Sequence, residues 1–142
     1  MLLEQPTPIL SKIYPKGIFR KNPEEHSVYL TFDDGPIPEV TPWVLDVLDK
    51  YNVKATFFVV GDNVRKHPDI YRMVVERGHH IGNHTFNHVR GMRMRNHDYI
   101  ENVRKCNGLI STRLFRPPHG VLRRWTYRYM IGDYDIVFYD TT

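Results

Sequence analysis

Residues 28–32 read Val-Tyr-Leu-Thr-Phe, β-branched and aromatic, and break at Asp33-Asp34-Gly35-Pro36, which predicts a strand running into a turn. From a Thr41-Pro42 start, Val40, Val44, Val47 or Leu48, and Tyr51 recur at helical spacing, and Asn52 closes the amphipathic helix. Residues 55–60 (Ala-Thr-Phe-Phe-Val-Val) form a near-continuous apolar run, which fits a strand covered on both faces and bounded by Gly61-Asp62-Asn63. Residues 68–77 carry Ile70, Met73 and Val74 on one helical face, with Pro68 at the start and Gly78 at the stop. A short strand over 79–82 follows. After an arginine-containing loop, Ile100, Val103, Cys106 and Ile110 mark a third helix. Residues 113–115 lead into Arg116-Pro117-Pro118, a helical stretch lies near 125–130, and 136–139 form a late strand. Residues 1–26, rich in Pro, Lys and Glu without a sustained period, are expected to be an irregular lead-in that packs across the domain.

The predicted order is β-α-β-α-β-α-β-α-β. Such alternation argues for an α/β fold with a parallel sheet and right-handed crossovers, where functional groups collect at the carboxyl ends of strands. A complete eight-stranded barrel takes about 250 residues. A chain of 142 residues therefore supplies part of a (β/α) barrel or a smaller open version, with one domain over 27–142.

Composition narrows the chemistry. The single cysteine, Cys106, excludes an intrachain disulfide and a zinc ribbon, so a metal would have to sit on histidine and carboxylate ligands. The formal charge of +4 is modest and spread along the chain. Arg90, Arg93 and Arg95, with Met92 and Met94 between them, could touch an anionic polymer, but a basic loop is ordinarily a solvated face and no nucleic-acid partner is expected. No apolar stretch approaches the roughly 18 uninterrupted residues of a membrane span, and no signal peptide is evident. Either a cytoplasmic or a cell-envelope location agrees with this sequence.

Three polar clusters fall at predicted strand ends. Asp33 and Asp34 can divide the labour of metal ligand and base, or can simply accept backbone N–H bonds in an Asp-rich turn. His84 and His88 lie four apart, an offset that in a helical turn puts both imidazoles on one face. No Glu follows His84, so the segment is not the His-Glu-x-x-His helix of a metalloprotease. Two histidines and a carboxylate from another strand end make a three-ligand site with room for water. Zinc suits that set, as does the iron(II) of some oxygenases. Arg116-Pro117-Pro118-His119-Gly120 places a cation beside two residues of fixed φ, a rigid corner or an ordinary extended loop. His79 and His80 should point to opposite faces of their strand. Trp43 and Trp125 could line a sugar groove, although aromatics at helical positions are more often core.

Thr31-Phe32-Asp33-Asp34-Gly35-Pro36, His84-Thr85-Phe86-Asn87-His88 and Arg116-Pro117-Pro118-His119-Gly120, in this order, resemble the first three motifs of the polysaccharide deacetylase family, the NodB-homology domains. The resemblance implies a distorted (β/α) barrel and a hydrolase of carbon–nitrogen, non-peptide bonds. Its members remove N-acetyl, or sometimes O-acetyl, groups from cell-wall glycans, so a carbohydrate containing N-acetylglucosamine is the expected partner. It further implies that Asp33 is the catalytic base and that Arg116 orients it. Asp34, His84 and His88 would bind a divalent cation, zinc first and cobalt or another ion as alternatives. The backbone N–H of His119, where many relatives carry Tyr, would help hold the oxyanion. Two later motifs of the family, one containing Asp and aromatics and one a Leu-x-His, are missing; Asp140 resembles the leading edge of the first. The expectation is a truncated deacetylase, with a non-catalytic glycan-binding fragment as the alternative.

Overall fold

The computed structural model describes residues 8–21, 24 and 26–139. Its elements are α1 (Pro8–Ile13), β1 (Thr31–Asp33), α2 (Val40–Lys50), β2 (Thr56–Val59), α3 (Gly61–Lys66), α4 (Pro68–Glu76), β3 (His80–Asn83), α5 (Asn96–Ile110), β4 (Leu114–Phe115), α6 (Arg124–Met130) and β5 (Asp135–Ile136). All strand pairings are parallel, and the sheet order β1-β2-β3-β4-β5 follows the chain. A sequential order is singly wound. It has no point where the winding reverses, which separates it from a doubly wound sheet and makes it a stretch of (β/α) barrel.

The register sorts side chains by face. Phe32, Phe57 and Ile81 are paired neighbours on one face, while Asp33, Phe58 and Gly82 are paired neighbours on the other. The first face meets the helices in an apolar cluster that includes Leu45, Leu48, Phe57, Val59, Val64, Val74 and Cys106. A second cluster joins Tyr99, Ile100, Val103, Phe115, Met130 and Ile136. Helix α5 serves both, because Tyr99, Ile100 and Val103 belong to one and Cys106 and Ile110 to the other. Burial pushes the Cys106 thiol up to about 12, which leaves it a small inert core residue rather than a nucleophile.

Several expectations are corrected. The strand expected over 28–32 is shorter and later; Val28 is 87% exposed, because β2 begins only at Thr56 and offers 28 and 29 no ladder partner. The buried stripe of α2 is Thr41, Leu45 and Leu48, whereas Val40 and Tyr51 face solvent. Gly61-Asp62-Asn63 is not a simple boundary but opens the additional helix α3, whose Asp62 pairs with Arg65 and Lys66. Trp43 and Trp125 are exposed rather than core.

The lead-in is not wholly irregular either. Beyond the helix α1, Tyr14 is buried and its hydroxyl both donates to the Leu122 carbonyl (2.7 Å) and accepts from the Leu122 N–H (3.0 Å). Ile18 then adds a parallel rung beside Val137, exchanging bonds with Ile136 O and Phe138 N at the outer side of β5. Among the described residues, no helix is long and apolar enough to cross a membrane.

His79 and His80 do take opposite environments, His79 buried and His80 exposed. Nδ1 of His79 accepts a bond from the Ala55 N–H at 3.3 Å, which requires an unprotonated nitrogen. Burial, then the nearby Lys54 charge, holds this imidazole below its ordinary range. With the folded pKa depressed, the unfolded chain binds the extra proton first, so stability falls as pH drops below the unfolded value of about 6.5. Urea unfolding at pH 7 and pH 5 should show a smaller loss for His79→Asn than for the parent; equal losses would contradict this.

Candidate active site

The site lies at the carboxyl ends of β1, β3 and β4, and its positioning starts with Arg116. This side chain leaves the end of β4 on the inner face and crosses the sheet to β1. Its Nη1 donates to Thr31 Oγ1 (2.7 Å) and to Asp33 Oδ1 (2.8 Å), partners 85 and 83 positions away in the chain. The guanidinium rests on the Phe58 ring, 4.2 Å from its centroid. Phe58 can lie there because its neighbour on β3 is Gly82; a Cβ at that position would sit 2.3 Å from the ring. Gly82 therefore makes room for Phe58, and Phe58 supports the arginine that fixes Asp33.

Arg116 acts through its backbone as well. Its carbonyl lies 2.7 Å from His84 Nδ1. A carbonyl can only accept, so Nδ1 carries the proton and the Nε2 lone pair of His84 faces the site. Burial outweighs the nearby Asp33 charge and holds His84 below its ordinary range, so the neutral imidazole suited to metal ligation is favoured.

Asp34 points at both histidines, with its Oδ1 3.4 Å from His84 Nε2 and 3.1 Å from His88 Nε2. One ligand atom from each of the three lies within 4.8 Å of the others. Tetrahedral ligands at about 2.1 Å from a zinc ion stand roughly 3.4 Å apart, so the spacing and the one-carboxylate, two-imidazole donor set fit a divalent cation. Asp33 and Asp34 serve different ends of the site despite being adjacent, because Asp34 takes φ 70° and turns its side chain away from the strand's alternation.

The expected helical turn over 84–88 does not exist. Thr85 (φ 66°) and His88 (φ 52°) are both left-handed, and the loop, not a helical offset, brings the imidazoles to a centroid separation of 5.2 Å. A β-branched residue at positive φ needs a surrounding structure that holds it, and three sets of bonds do so. Asn83, fully buried, accepts from the Thr85 N–H (2.8 Å) and donates to the Val103 carbonyl (2.9 Å). Asn102 Oδ1 accepts from the Phe86 and Asn87 N–H groups at 2.8 and 3.0 Å. The first N–H groups of α3, Gly61 and Asp62, donate to the Thr85 and Phe86 carbonyls. Asn83 and Asn102 were not singled out from sequence, and Thr31 stood only as the first residue of its motif with no role given; an Asn just before the histidine segment was the available signal.

His119 also stands at positive φ (62°) in the Pro118–Gly120 turn. Its ring meets His88 edge-on at a centroid distance of 5.0 Å, and its Nε2 accepts from Arg90 Nε at 3.2 Å. The sequence-predicted residues Asp33, Asp34, His84, His88, Arg116 and His119 thus lie in one cluster. Asp140 lies outside the described residues.

Comparison with known proteins supplies a context for this geometry. The polysaccharide deacetylase family profile matches residues 20–135. A peptidoglycan-N-acetylglucosamine deacetylase of Bacillus cereus is 40% identical over 99 residues, covering 66% of this chain and 36% of its own length. A chitooligosaccharide deacetylase of Sinorhizobium fredii is 39% identical over 115 residues, covering 76% of this chain and 54% of its own length. A crystal structure of a peptidoglycan N-acetylglucosamine deacetylase bound to a naphthyl N-hydroxybenzamide superimposes with a TM-score of 0.85 at 32% identity, over 94% of this chain and 65% of that one. The chain thus spans roughly a third to a half of the length of these two curated relatives.

Asn83→Ala leaves the Thr85 N–H and the Val103 carbonyl without their partner in a closed environment. It should cost about 1–3 kcal/mol in urea unfolding and weaken zinc binding measured by competition with a chromophoric chelator. An unchanged unfolding midpoint together with unchanged zinc affinity would refute the role given to Asn83.

Proposed function

The chain belongs to the polysaccharide deacetylase family, and from that premise we propose that it hydrolyses acetamide groups on glycans containing N-acetylglucosamine with the help of a divalent cation. The observation that carries the reading is the juxtaposition of Asp33, held by Arg116, with the Asp34, His84 and His88 ligand set at one rim of the sheet.

In this reading Asp34, His84 and His88 would hold the cation, zinc being the first choice for that donor set. When bound, such a cation would supply Lewis acidity to the attacking water and the acetamide carbonyl. Asp33 is the base. One of its oxygens is committed to Arg116 and the carboxylate is thereby aimed, so that it can take a proton from the attacking water. Arg116 orients Asp33 through the guanidinium and His84 through the carbonyl, which ties base and ligand to one residue. The corner after Pro117 and Pro118 offers the His119 backbone N–H to the oxyanion that develops when water adds to the carbonyl carbon. Collapse breaks the C–N bond as the proton taken by Asp33 passes to the leaving nitrogen, which yields acetate and a free amine on the sugar and restores the Asp33 carboxylate.

The purified chain should bind on the order of one equivalent of zinc, as expected for a single three-ligand site, and His84→Ala should abolish that binding. Asp33→Asn should retain zinc yet release acetate from a chito-oligosaccharide about 10²–10⁴-fold more slowly, the usual contribution of a general base. Glycan binding without acetate release by the zinc-loaded parent chain would reduce the protein to a binding module.

A further inference from the structure

The loop between β3 and α5 carries charge that the hydrolysis does not use. Arg90 and Arg93 are exposed, and a bond from the Arg93 N–H to the Arg90 carbonyl (3.1 Å) sets them in one tight turn. Arg123, at the start of α6, pins the loop by donating to the Met92 carbonyl at 3.0 Å. Arg95 is taken up by Asp98 at 2.8 Å, whereas among the described residues neither Arg90 nor Arg93 forms an ion pair with a carboxylate. From the site outward, the rings of His88 and His119 and then the Arg90 guanidinium form a continuous line of contacts.

An acetamide is neutral and asks for no additional cation at this distance. Two arginines in one tight turn, neither ion-paired with a carboxylate among the described residues, create a positive potential at the mouth of the site. The planar fork of arginine matches a carboxylate in shape and donor spacing. We propose that Arg90 and Arg93 form a specificity rim that favours glycans carrying a carboxylate beside the sugar to be deacetylated over neutral ones. This rests on the deacetylase reading for the identity of the polymer. The carboxylate could be the lactyl ether of a muramic-type sugar or the C6 acid of a uronate, and both present the same planar anion.

Calorimetry on the zinc-loaded Asp33→Asn chain tests the rim with three oligosaccharides of equal length. One alternates N-acetylglucosamine with N-acetylmuramic acid, one alternates it with glucuronate, and one is the neutral chito-oligosaccharide. At low salt the carboxylate-bearing glycan that fits should bind about 2–10-fold more tightly than the neutral one, as for one or two exposed ion pairs. That advantage should shrink with added salt. The ratio should fall towards one when R90Q and R93Q are combined, and partway for R93Q alone, whose side chain does not support His119. The two acidic glycans identify the source of the carboxylate.

Equal affinity for all three, no binding of any, or a preference that survives the double substitution overturns the rim. Acetate release by the unsubstituted chain keeps the failures apart. Turnover without a charge preference removes the rim and leaves the deacetylase, while an arginine-dependent preference without turnover does the reverse.

Discussion

A guanidinium that is 3% exposed must satisfy its charge inside the protein, because an unpaired buried cation costs several kcal/mol. Arg116 does so by spanning the inner face of the sheet to Thr31 and Asp33, and the rest of the site is arranged around that crossing. Gly82 leaves the space, Phe58 fills it with an aromatic face, and the Arg116 side chain from the end of β4 reaches β1 across it. The same residue accepts from His84 Nδ1 and donates its own N–H to the Asn83 carbonyl. Breaking the crossing would free Asp33 and leave a buried charge above Phe58.

The second constraint is conformational. The ligand set depends on three non-glycine residues at positive φ, Asp34, Thr85 and His88, none of which a strand or helix would supply. Backbone in that region is held by neighbours rather than by intrinsic preference. Here the holders are two asparagines and the amino end of α3. Helix α5 links this arrangement to the core: the Val103 carbonyl and the Asn102 side chain bond Asn83 and the loop, while Tyr99, Ile100, Val103, Cys106 and Ile110 are buried along the same helix in the two apolar clusters.

Much of this was legible in the sequence, and the reasons it was or was not are physical. The helix bearing Ile100, Val103, Cys106 and Ile110 has an unbroken period, and all four are buried. The strand alternation also separated His79 from His80. The six residues of the cluster lie in three motifs that each had an ordinary reading as a turn or loop, and it was their ordered resemblance to the polysaccharide deacetylase motifs that marked them. Periodicity misled where the backbone leaves regular geometry: the four-residue offset of His84 and His88 suggested a helix, whereas two left-handed residues produce the convergence. It also misplaced the buried stripe of α2, since Thr41 is a core residue whose hydroxyl accepts from the Ile37 N–H. Long-range pairings such as Arg116 with Thr31 leave no trace in local pattern, and neither does the rung that Ile18 adds beside β5.

The account stands on a single convergence, Asp34 with His84 and His88 around one ion and Asp33 alongside. The most direct measurement is anomalous diffraction from zinc-loaded crystals of this chain. The account predicts a zinc ion about 2.0–2.2 Å from Asp34 Oδ and from both Nε2 atoms. Asp33 should stand within hydrogen-bonding reach of the solvent on its open side. Zinc bound through other residues, or through the histidines with Asp33 in place of Asp34, would contradict the assignment of base and ligand.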